Sequence, residues 1–191
     1  MKVILVTDIF GHTTHLNEWV IRLSALGAKC HIISPYEYPS PEFEHDQLAY
    51  EYYTAQGGHD VYRQRLLDQT QLLQRADLII GFSAGASALW HFCSQTFANA
   101  LPKTVLFYPS HIRNQLTLTP KLPTEIIFAS HEPHFSVDEV MASLAHQQND
   151  KLTLTKSAYL HGVINPASQN YNLQAAELFF NFIAQKIIQR D

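Results

Sequence analysis

Residues 76–97 read ADLIIGFSAGASALWHFCSQTF, and this stretch decides the fold class. It opens with an apolar run and continues, after the GFSAG of residues 81–85, with apolar residues at helical spacing. The pattern predicts a strand, a very tight turn and a helix, with Ser83 at the apex of the turn. GFSAG matches the G-x-S-x-G of a nucleophile elbow, in the strand-turn-helix context that this motif requires.

The residue types around Ser83 follow from the geometry of such a turn. A strand that turns directly into a helix forces its apex residue into a strained backbone conformation. Gly81 and Gly85 stand where a side chain would collide with neighbouring backbone. The Ala84 N–H lies in the first helical turn, where it has no intrahelical partner, so it is predicted to form half of an oxyanion hole. The alternative is a tight turn that serves only the fold.

Composition and charge exclude several classes of function. The chain has 191 residues, 46% hydrophobic and 16% charged, and we expect a single domain over residues 1–191. Its net charge is −4 with no basic run, so nucleic acid is not an expected partner.

No segment predicts a membrane span or a signal peptide, so no membrane partner is expected. Cys30 and Cys93 lie in apolar segments, which indicates a reducing compartment, and we expect the cytoplasm. The sequence leaves the oligomeric state open.

Short apolar segments alternate with helical patterns along the chain. Strands are predicted at residues 3–6, 29–34, 77–80, 104–107, 125–129 and 152–155, and helices at 15–26, 60–75, after Ser83, at 137–146 and at 172–189. The alternation predicts an α/β protein with a doubly wound parallel sheet of about six strands flanked by helices. The turn after the first strand lacks G-x-G-x-x-G, so no dinucleotide is expected, and no other cofactor is predicted.

Two segments between the predicted elements bear on the substrate. Residues 35–58 are predicted to be an irregular, tyrosine-rich excursion that leaves the edge of the sheet where ligands bind in such folds. The excursion either forms a pocket wall or covers an edge of the core, and the sequence does not decide between the two. Residues 108–123 hold no recognisable amphipathic helix that could act as a lid, so an open site and a soluble substrate are expected.

A base and an acid that could activate Ser83 both occur at strand ends. A serine hydroxyl is a poor nucleophile unless a base takes its proton and a third group orients that base. In folds with a nucleophile elbow the acid and then the histidine follow the serine along the chain. Glu132 follows the predicted strand 125–129, and His161 follows the last predicted strand. We therefore predict Ser83 as nucleophile, His161 as base and Glu132 as the orienting acid.

Other residues compete for these roles. Weaker candidates for the base are three histidines that also follow strands, His12, His15 and His111. Asp138 falls in the next predicted helix, where it better serves the first turn. His131 and His134 could ligate a metal with Glu132, but no further cluster has matching spacing, and no metal site is predicted. Three arginines could bind an acidic substrate, although a solvated surface is the simpler interpretation: Arg63, Arg65 and Arg113.

These features together resemble the dienelactone hydrolase family of the α/β hydrolases, over most of the chain. The segments that carry the resemblance are Thr7-Asp8-Ile9-Phe10-Gly11, Gly27 with Pro35-Tyr36, the elbow at 81–85, Glu132-Pro133 and His161-Gly162. The Asp-Ile-Phe-Gly segment is the most specific of them. The resemblance implies that the Ile9 N–H is the second oxyanion donor beside Ala84. Candidate substrate contacts stand in the same segments, namely Phe10, Phe82 and Tyr36.

The chain departs from that family in three respects. The namesake enzymes use Cys where this chain has Ser83, and Asp where it has Glu132. The chain begins at what would be the third strand, so a minimal α/β-hydrolase fold without the first two edge strands is expected. The arginines that hold a dienelactone carboxylate have no convincing match.

The resemblance implies a small soluble serine hydrolase that cleaves a small ester, lactone or thioester through an acyl-serine. A non-catalytic protein of this fold that binds a small molecule or a partner is the alternative.

Overall fold

Six short strands form a parallel sheet in the computed structural model, which describes residues 1–96 and 102–189. The strands are β1 (Lys2–Val6), β2 (Lys29–Ile33), β3 (Leu78–Phe82), β4 (Lys103–Phe107), β5 (Thr124–Phe128) and β6 (Leu152–Lys156). Their order is β2-β1-β3-β4-β5-β6, and each neighbouring pair is parallel. The prediction of a parallel sheet of about six strands is confirmed. Phe97, the last residue of the stretch that predicts the elbow, lies outside the described residues.

Helices connect the strands and cover both faces of the sheet. They are α1 (Thr14–Ala25), α2 (Asp46–Ala55), α3 (Gly58–Asp68), α4 (Thr70–Gln74), α5 (Ala84–Cys93), α6 (Val137–Ala145) and α7 (Leu173–Ile188), with a short 3₁₀ helix at Ser110–Asn114. Alternate side chains of β1 point to opposite faces of the sheet. Ile4 and Val6 pack in an apolar cluster with residues of α3, α5 and α6, and Val3 and Leu5 pack with α1 and α7. The predicted doubly wound arrangement is therefore confirmed.

The two outer strands differ from the inner ones in polarity. All five residues of β3 are buried, because helices cover it on both faces. In contrast, β2 exposes Lys29 and His31, and β6 exposes Thr153 and Thr155. Among the six strands, each of the four inner ones thus has at least three consecutive buried residues, and neither outer one does. No helix among the described residues is both long and apolar enough to cross a membrane.

The segment 35–58 is more ordered than the sequence predicts, because α2 lies inside it. Ala49 and Tyr53, one turn apart on α2, are buried, and the Tyr53 ring packs edge-on against Tyr62 of α3. The prediction of an irregular excursion is therefore wrong for the part that α2 occupies. The helix starts after His45, whose ring accepts a hydrogen bond from a helix N–H at 3.4 Å. Histidine is not among the preferred cap residues, so the start of this helix has no clear sequence signal.

Two other segments also differ from the predicted pattern. The helix predicted over residues 60–75 is interrupted at Gln69, which ends α3 and precedes α4. The segment 108–123 carries the 3₁₀ helix close after β4, where the sequence predicts a loop. The bounds of the six strands agree with the predicted ones to within two residues. The carboxyl ends of β3, β5 and β6 therefore deliver the predicted site residues to the expected edge of the sheet.

Candidate active site

Ser83 occupies the apex of the turn between β3 and α5. Its backbone has φ 49° and ψ −109°, which a residue with a side chain rarely adopts. Its N–H donates to the Phe107 carbonyl at 2.9 Å, and its carbonyl accepts from the N–H of Ser87 at 2.9 Å and from the Ser87 hydroxyl at 3.0 Å. Strain of this kind persists only where surrounding contacts determine the conformation. These hydrogen bonds therefore hold the Ser83 backbone in its strained form.

Gly81 and Gly85 allow α5 to approach the sheet closely. A Cβ atom on Gly81 would lie 2.7 Å from the Cα of Ala86, and one on Gly85 would lie 2.6 Å from the Val6 carbonyl oxygen. Both separations are too short for a real Cβ atom, so any larger residue would push the helix away from β1 and β3. The two glycines are thus required by the close approach that places Ser83 at the sheet edge.

The Ser83 hydroxyl is in hydrogen-bond contact with the His161 ring. The Oγ atom of Ser83 lies 2.7 Å from Nε2 of His161, and Nδ1 of His161 lies 2.7 Å from Oε1 of Glu132. The three residues follow β3, β6 and β5, whose carboxyl ends lie at the same edge of the sheet. The structure thus brings together the three side chains that the sequence predicts as nucleophile, base and acid.

The carboxylate in this chain of hydrogen bonds is buried, whereas the imidazole is partly open. The Glu132 side chain is 8% exposed and that of His161 is 27% exposed. A carboxylate that accepts a hydrogen bond from Nδ1–H leaves Nε2 free to accept from the Ser83 hydroxyl. The His161 carbonyl accepts from Nδ2 of Asn170 at 2.9 Å, and the Tyr108 ring packs 4.8 Å from the imidazole. The first contact holds the His161 backbone, and the second packs against its ring.

The two predicted oxyanion donors have N–H groups that are available to a ligand. Ala84 is the first residue of α5, and the first N–H groups of a helix have no partner within it. Ile9 lies in a turn that is closed by the Gly11 N–H, which donates to the Asp8 carbonyl at 3.2 Å. No hydrogen bond from the Ile9 N–H occurs within the described ranges. The Ile9 carbonyl accepts from the Tyr36 hydroxyl at 2.7 Å, which ties this turn to the segment after β2.

Asp8 is a second buried carboxylate beside the site, for which the sequence predicts no side-chain role. Its Oδ1 accepts from the Phe10 N–H at 2.9 Å, and its Oδ2 accepts from Nδ2 of Asn165 at 2.9 Å. Burial raises the pKa of Asp8 to about 6 from 3.8, although these two hydrogen bonds and the charge of His161 oppose the rise. An acidic residue two positions after the apolar run of residues 3–6 is the sequence signal that could have pointed to it.

The competing histidines contact other groups. None of the three is within hydrogen-bond distance of the Ser83 hydroxyl among the described residues. Their contacts are His12 Nε2 to Asn17 Oδ1 at 2.6 Å, the His15 ring beside Trp19 at 5.9 Å, and the His111 ring stacked on His59 at 3.9 Å. In the pair of His59 and His111, burial lowers the pKa of His59 to about 4, and the charges of His111 and Arg113 add to this lowering.

The three arginines considered as ligands for an acidic substrate have local partners. Arg63 contacts Asp60 at 3.3 Å, Arg65 contacts Glu37 at 2.8 Å, and Arg113 lies 5.3 Å over the Phe135 ring.

Within residues 1–96 and 102–189, no group of three or more His, Cys, Asp or Glu side chains could hold a metal ion. Asp138 lies in the first turn of α6, as predicted, and its carboxylate accepts from Lys156 at 2.7 Å.

The three predicted substrate contacts have different surroundings. The Phe82 ring packs in the core beside Trp19 at 5.7 Å and Phe107 at 5.5 Å, and its contact with a substrate stays a prediction. Phe82 is the last residue of a strand that is covered on both faces, so its side chain points into the helical layer. Tyr36 is buried and uses its hydroxyl to hold Ile9. Phe10 lines a cleft between loops, so its contact with a substrate stays a prediction.

Solved structures identify the fold as that of the α/β hydrolases. A protein from Klebsiella pneumoniae assigned as a dienelactone hydrolase has a TM-score of 0.72 at 15% identity, over 98% of this chain and 86% of its own. Dienelactone hydrolase from Anabaena variabilis has a TM-score of 0.66 at 12% identity, over 98% of this chain and 85% of its own. The predicted resemblance to dienelactone hydrolases is thus confirmed for the fold.

Sequence comparison adds one relative whose name carries no activity. The uncharacterized protein YczH of Bacillus subtilis strain 168 is 27% identical over 193 residues, which cover 95% of this chain and 88% of that protein. No family model matches the sequence. Because one fold hosts many activities, the function has to be inferred from the side chains at the site.

Proposed function

We propose that this protein is a serine hydrolase that cleaves a carboxylic ester, lactone or thioester through an acyl-serine intermediate. The observation that carries the proposal is the chain of hydrogen bonds from Ser83 through both ring nitrogens of His161 to Glu132, with both contacts at 2.7 Å. A nucleophile within reach of a base that a third group orients is the arrangement that activates a serine hydroxyl. The names of the two structural neighbours, both dienelactone hydrolases, support lactones beside esters as substrates.

Acylation starts with proton transfer from Ser83 to Nε2 of His161 while Oγ attacks the carbonyl carbon. The carbonyl π electrons move to the oxygen, and the N–H groups of Ala84 and Ile9 stabilise this oxyanion by roughly 3 kcal/mol each. The imidazolium then gives its proton to the leaving oxygen or sulfur as the bond to the carbonyl carbon breaks. Proton transfer by a positioned side chain contributes about 10²–10⁴-fold to such a rate.

Deacylation repeats these steps with water as the nucleophile. His161 takes a proton from water, the hydroxide attacks the acyl carbon, and the same two N–H groups hold the second oxyanion. The proton on Nε2 then returns to Oγ of Ser83 as the carboxylic acid leaves. In both halves Glu132 holds the Nδ1 proton in place and offsets the positive charge of the imidazolium.

Turnover of p-nitrophenyl acetate by the wild type and by Ser83→Ala tests this proposal. We expect Ser83→Ala to lower kcat by about 10³-fold or more, with little change in the unfolding transition. Ser143→Ala is the matched control, because Ser143 is exposed on α6 and its hydroxyl donates to the Glu139 carbonyl. It should turn over the ester at the wild-type rate. Equal rates for all three proteins would reject Ser83 as the nucleophile.

A fluorophosphonate probe separates the enzyme from the alternative, a non-catalytic protein of this fold. Attack by an activated serine displaces fluoride and leaves a covalent phosphonyl group on Oγ of Ser83. Mass spectrometry should find one adduct per chain in the wild type, on the peptide that contains Ser83, and none in Ser83→Ala. A wild-type protein that stays unmodified at high probe concentration favours the non-catalytic alternative.

A further inference from the structure

A cleft opens between three loops at the edge of the sheet that carries Ser83. Its walls are the loop between β1 and α1, residues 38–43 after β2, and residues 165–167 after His161. We name it the loop cleft. Its volume of about 390 Å³ lies within the range of small-molecule sites. Another cleft, of about 470 Å³, includes the first residues of β4 and β5 and therefore lies at the opposite edge, away from Ser83.

The loop cleft adjoins the proposed active site through two of its lining residues. Phe10 directly follows Ile9, the proposed oxyanion donor. Asn165 lies four residues after His161 and donates a hydrogen bond to the Asp8 carboxylate at 2.9 Å. Consecutive Cα atoms are about 3.8 Å apart. The loop cleft therefore begins one residue along the chain from the proposed oxyanion donor.

Aromatic side chains form much of the apolar lining of the loop cleft. Phe10 and Phe43 pack edge-on with ring centroids 6.5 Å apart, and both line the cleft. Tyr38, also in the lining, is 74% exposed, and its ring stands 4.9 Å from that of His12. An exposed tyrosine beside the half-buried Phe43 and the buried Phe10 offers ring faces and edges to a ligand, and aromatic pairs gain free energy beyond the area that they bury. This lining favours a flat ring as ligand.

The charges around the loop cleft oppose an anionic ligand. Glu42 contributes a carboxylate to the lining, and no lysine or arginine occurs among the lining residues that the structure describes. His15 lines both the loop cleft and a smaller cavity beside it. Burial lowers the pKa of its imidazole, so the ring is neutral near pH 7. A carboxylate or phosphate in this cleft would lose hydration without gaining a lysine or arginine partner, although the lining also includes His12. An uncharged ligand has no such penalty.

His15 stands where the loop cleft meets a smaller cavity. Its Nε2 is buried without a partner in full hydrogen-bond geometry among the described residues, while the Ile164 backbone lies close enough to the ring to oppose the lowering of its pKa. His15 lines both the loop cleft and a small cavity of about 20 Å³ that reaches Asp8 and Phe82, the neighbours of Ile9 and Ser83. His15 is therefore part of the wall that the two spaces share.

We propose that the loop cleft binds an uncharged group of the substrate that carries an aromatic ring. This inference rests on the proposed function, because it names the part of the acyl substrate that the chain recognises beside Ser83. The ring packs against Phe10, Phe43 and Tyr38. The aromatic group belongs either to the acyl part or to the leaving alcohol.

Binding to Ser83→Ala tests the cleft without any turnover. Benzyl alcohol and benzoate differ in charge but share the ring, and their affinities can be measured by ligand-observed NMR titration. We expect benzyl alcohol to bind in the millimolar range and benzoate to bind about 5-fold more weakly or worse. Adding Tyr38→Ala should weaken benzyl alcohol roughly 3- to 10-fold. Tyr50→Ala is the matched control, since Tyr50 is 58% exposed on α2 and does not line the cleft.

Kinetics with three esters show which part of the substrate carries the ring. Benzyl acetate has it in the alcohol, methyl phenylacetate has it in the acyl group, and ethyl acetate has none. After division by the hydroxide-catalysed rates, we expect kcat/KM of one aromatic ester to exceed that of ethyl acetate by about 10-fold or more. Tyr38→Ala should remove most of that preference through KM, and Tyr50→Ala should leave it intact.

The outcomes separate this inference from the proposed function. Benzyl alcohol binding that Tyr38→Ala weakens, without hydrolysis of any ester, would sink the proposed function and support the cleft. Hydrolysis of all three esters at similar normalised rates, with no benzyl alcohol binding, would overturn the cleft and leave the hydrolase proposal standing. Equal affinity for benzoate and benzyl alcohol, or equal effects of Tyr38→Ala and Tyr50→Ala, would also overturn it.

Discussion

Oδ2 of Asp8 accepts a hydrogen bond from Nδ2 of Asn165 at 2.9 Å, and this buried contact joins the loop after β1 to the loop after His161. Oδ1 of the same carboxylate accepts from the Phe10 N–H at 2.9 Å. Both oxygens of Asp8 are therefore used to hold segments that belong to the proposed site. The turn that presents the Ile9 N–H and the segment that carries the imidazole are held relative to each other by one carboxylate.

Asp8→Asn should change the pH dependence of stability. Because the pKa of Asp8 is about 6 in the folded protein and 3.8 when unperturbed, the protonated form is favoured by folding. The stability contributed by Asp8 is full below pH 3.8 and is lost as the pH rises through about 6. The amide side chain of the variant resembles the protonated acid and does not titrate. The free energy of unfolding of Asp8→Asn relative to the wild type should therefore rise from about pH 4 to about pH 7, by up to about 3 kcal/mol.

Urea unfolding at several pH values measures this difference. If the amide of Asp8→Asn forms a weaker hydrogen bond with Asn165, the resulting loss of unfolding free energy is the same at each pH. It does not affect the trend with pH. Asp150→Asn is the control, because Asp150 is exposed. A flat difference between Asp8→Asn and the wild type across this range would contradict the burial of an ionised Asp8.

Gly85→Ala should destabilise the protein far more than Gly27→Ala. A Cβ on Gly85 would overlap the carbonyl oxygens of Val6 and Thr7, which belong to the backbone and cannot turn aside. A Cβ on Gly27 meets no atom within 4 Å, so only its φ of +87° is unfavourable. We expect a loss of about 3 kcal/mol or more for Gly85→Ala and about 1 kcal/mol for Gly27→Ala, measured by urea unfolding. Similar losses for both would argue against the tight elbow.

Glu132→Gln should lower kcat for p-nitrophenyl acetate by roughly 10²-fold or more while the protein stays folded. The amide can still accept from Nδ1–H of His161, but it no longer offsets the charge of the imidazolium. Glu132→Asp keeps the charge and shortens the reach by one methylene, so an intermediate rate is expected. Glu139→Gln, exposed on α6, is the control. A Glu132→Gln variant with the wild-type rate would remove this carboxylate from the mechanism.

His59→Phe should make the protein less sensitive to acid. Burial, His111 and Arg113 lower the pKa of His59 to about 4, although Asp60 opposes the shift. Because the folded-state pKa lies below the unperturbed 6.5, the stability from neutral His59 is present above pH 6.5 and is lost as the pH falls through about 4. A phenyl ring can keep the stacking on His111 and does not titrate. Nδ1 of His59 is buried without a partner among the described residues, so the substitution removes no hydrogen bond there.

Urea unfolding at about pH 7 and about pH 4.5 checks this expectation. The loss of unfolding free energy between the two should be smaller in His59→Phe than in the wild type. His131→Phe changes an exposed histidine and should follow the wild type. Equal losses in all three proteins would show that the His59 ring titrates as a solvated imidazole does.

The elbow could be predicted because its chemistry is local. Gly81, Ser83 and Gly85 stand within five residues, and the strand before them and the helix after them have periodic patterns. The positions of Glu132 and His161 followed from chain order and from the rule that parallel strands deliver their ends to one edge of the sheet. In the structure both side chains lie in one chain of hydrogen bonds with Ser83.

The residues that support the site could not be predicted in the same way. Asp8 and Asn165 are 157 positions apart, and their hydrogen bond leaves no periodic signal in either segment. The Tyr36 hydroxyl binds the Ile9 carbonyl, a partner that folding alone supplies, and its predicted contact with a substrate stays a prediction. Helix α2 was missed because it begins after His45, an uncommon cap residue.

The sequence by itself determined the alternation of strands and helices, the strained turn at Ser83 and the order of the three proposed catalytic side chains. These features depend on the spacing of apolar residues and on the backbone conformations allowed at single positions. Both can be read from residues that are close together in the chain. Only the tertiary structure decided that Phe82 belongs to the core, that a buried Asp8 holds the oxyanion turn, and that three loops enclose a cleft. Burial and long-range hydrogen bonds arise between segments distant in the chain, so they are set by packing and not by local pattern.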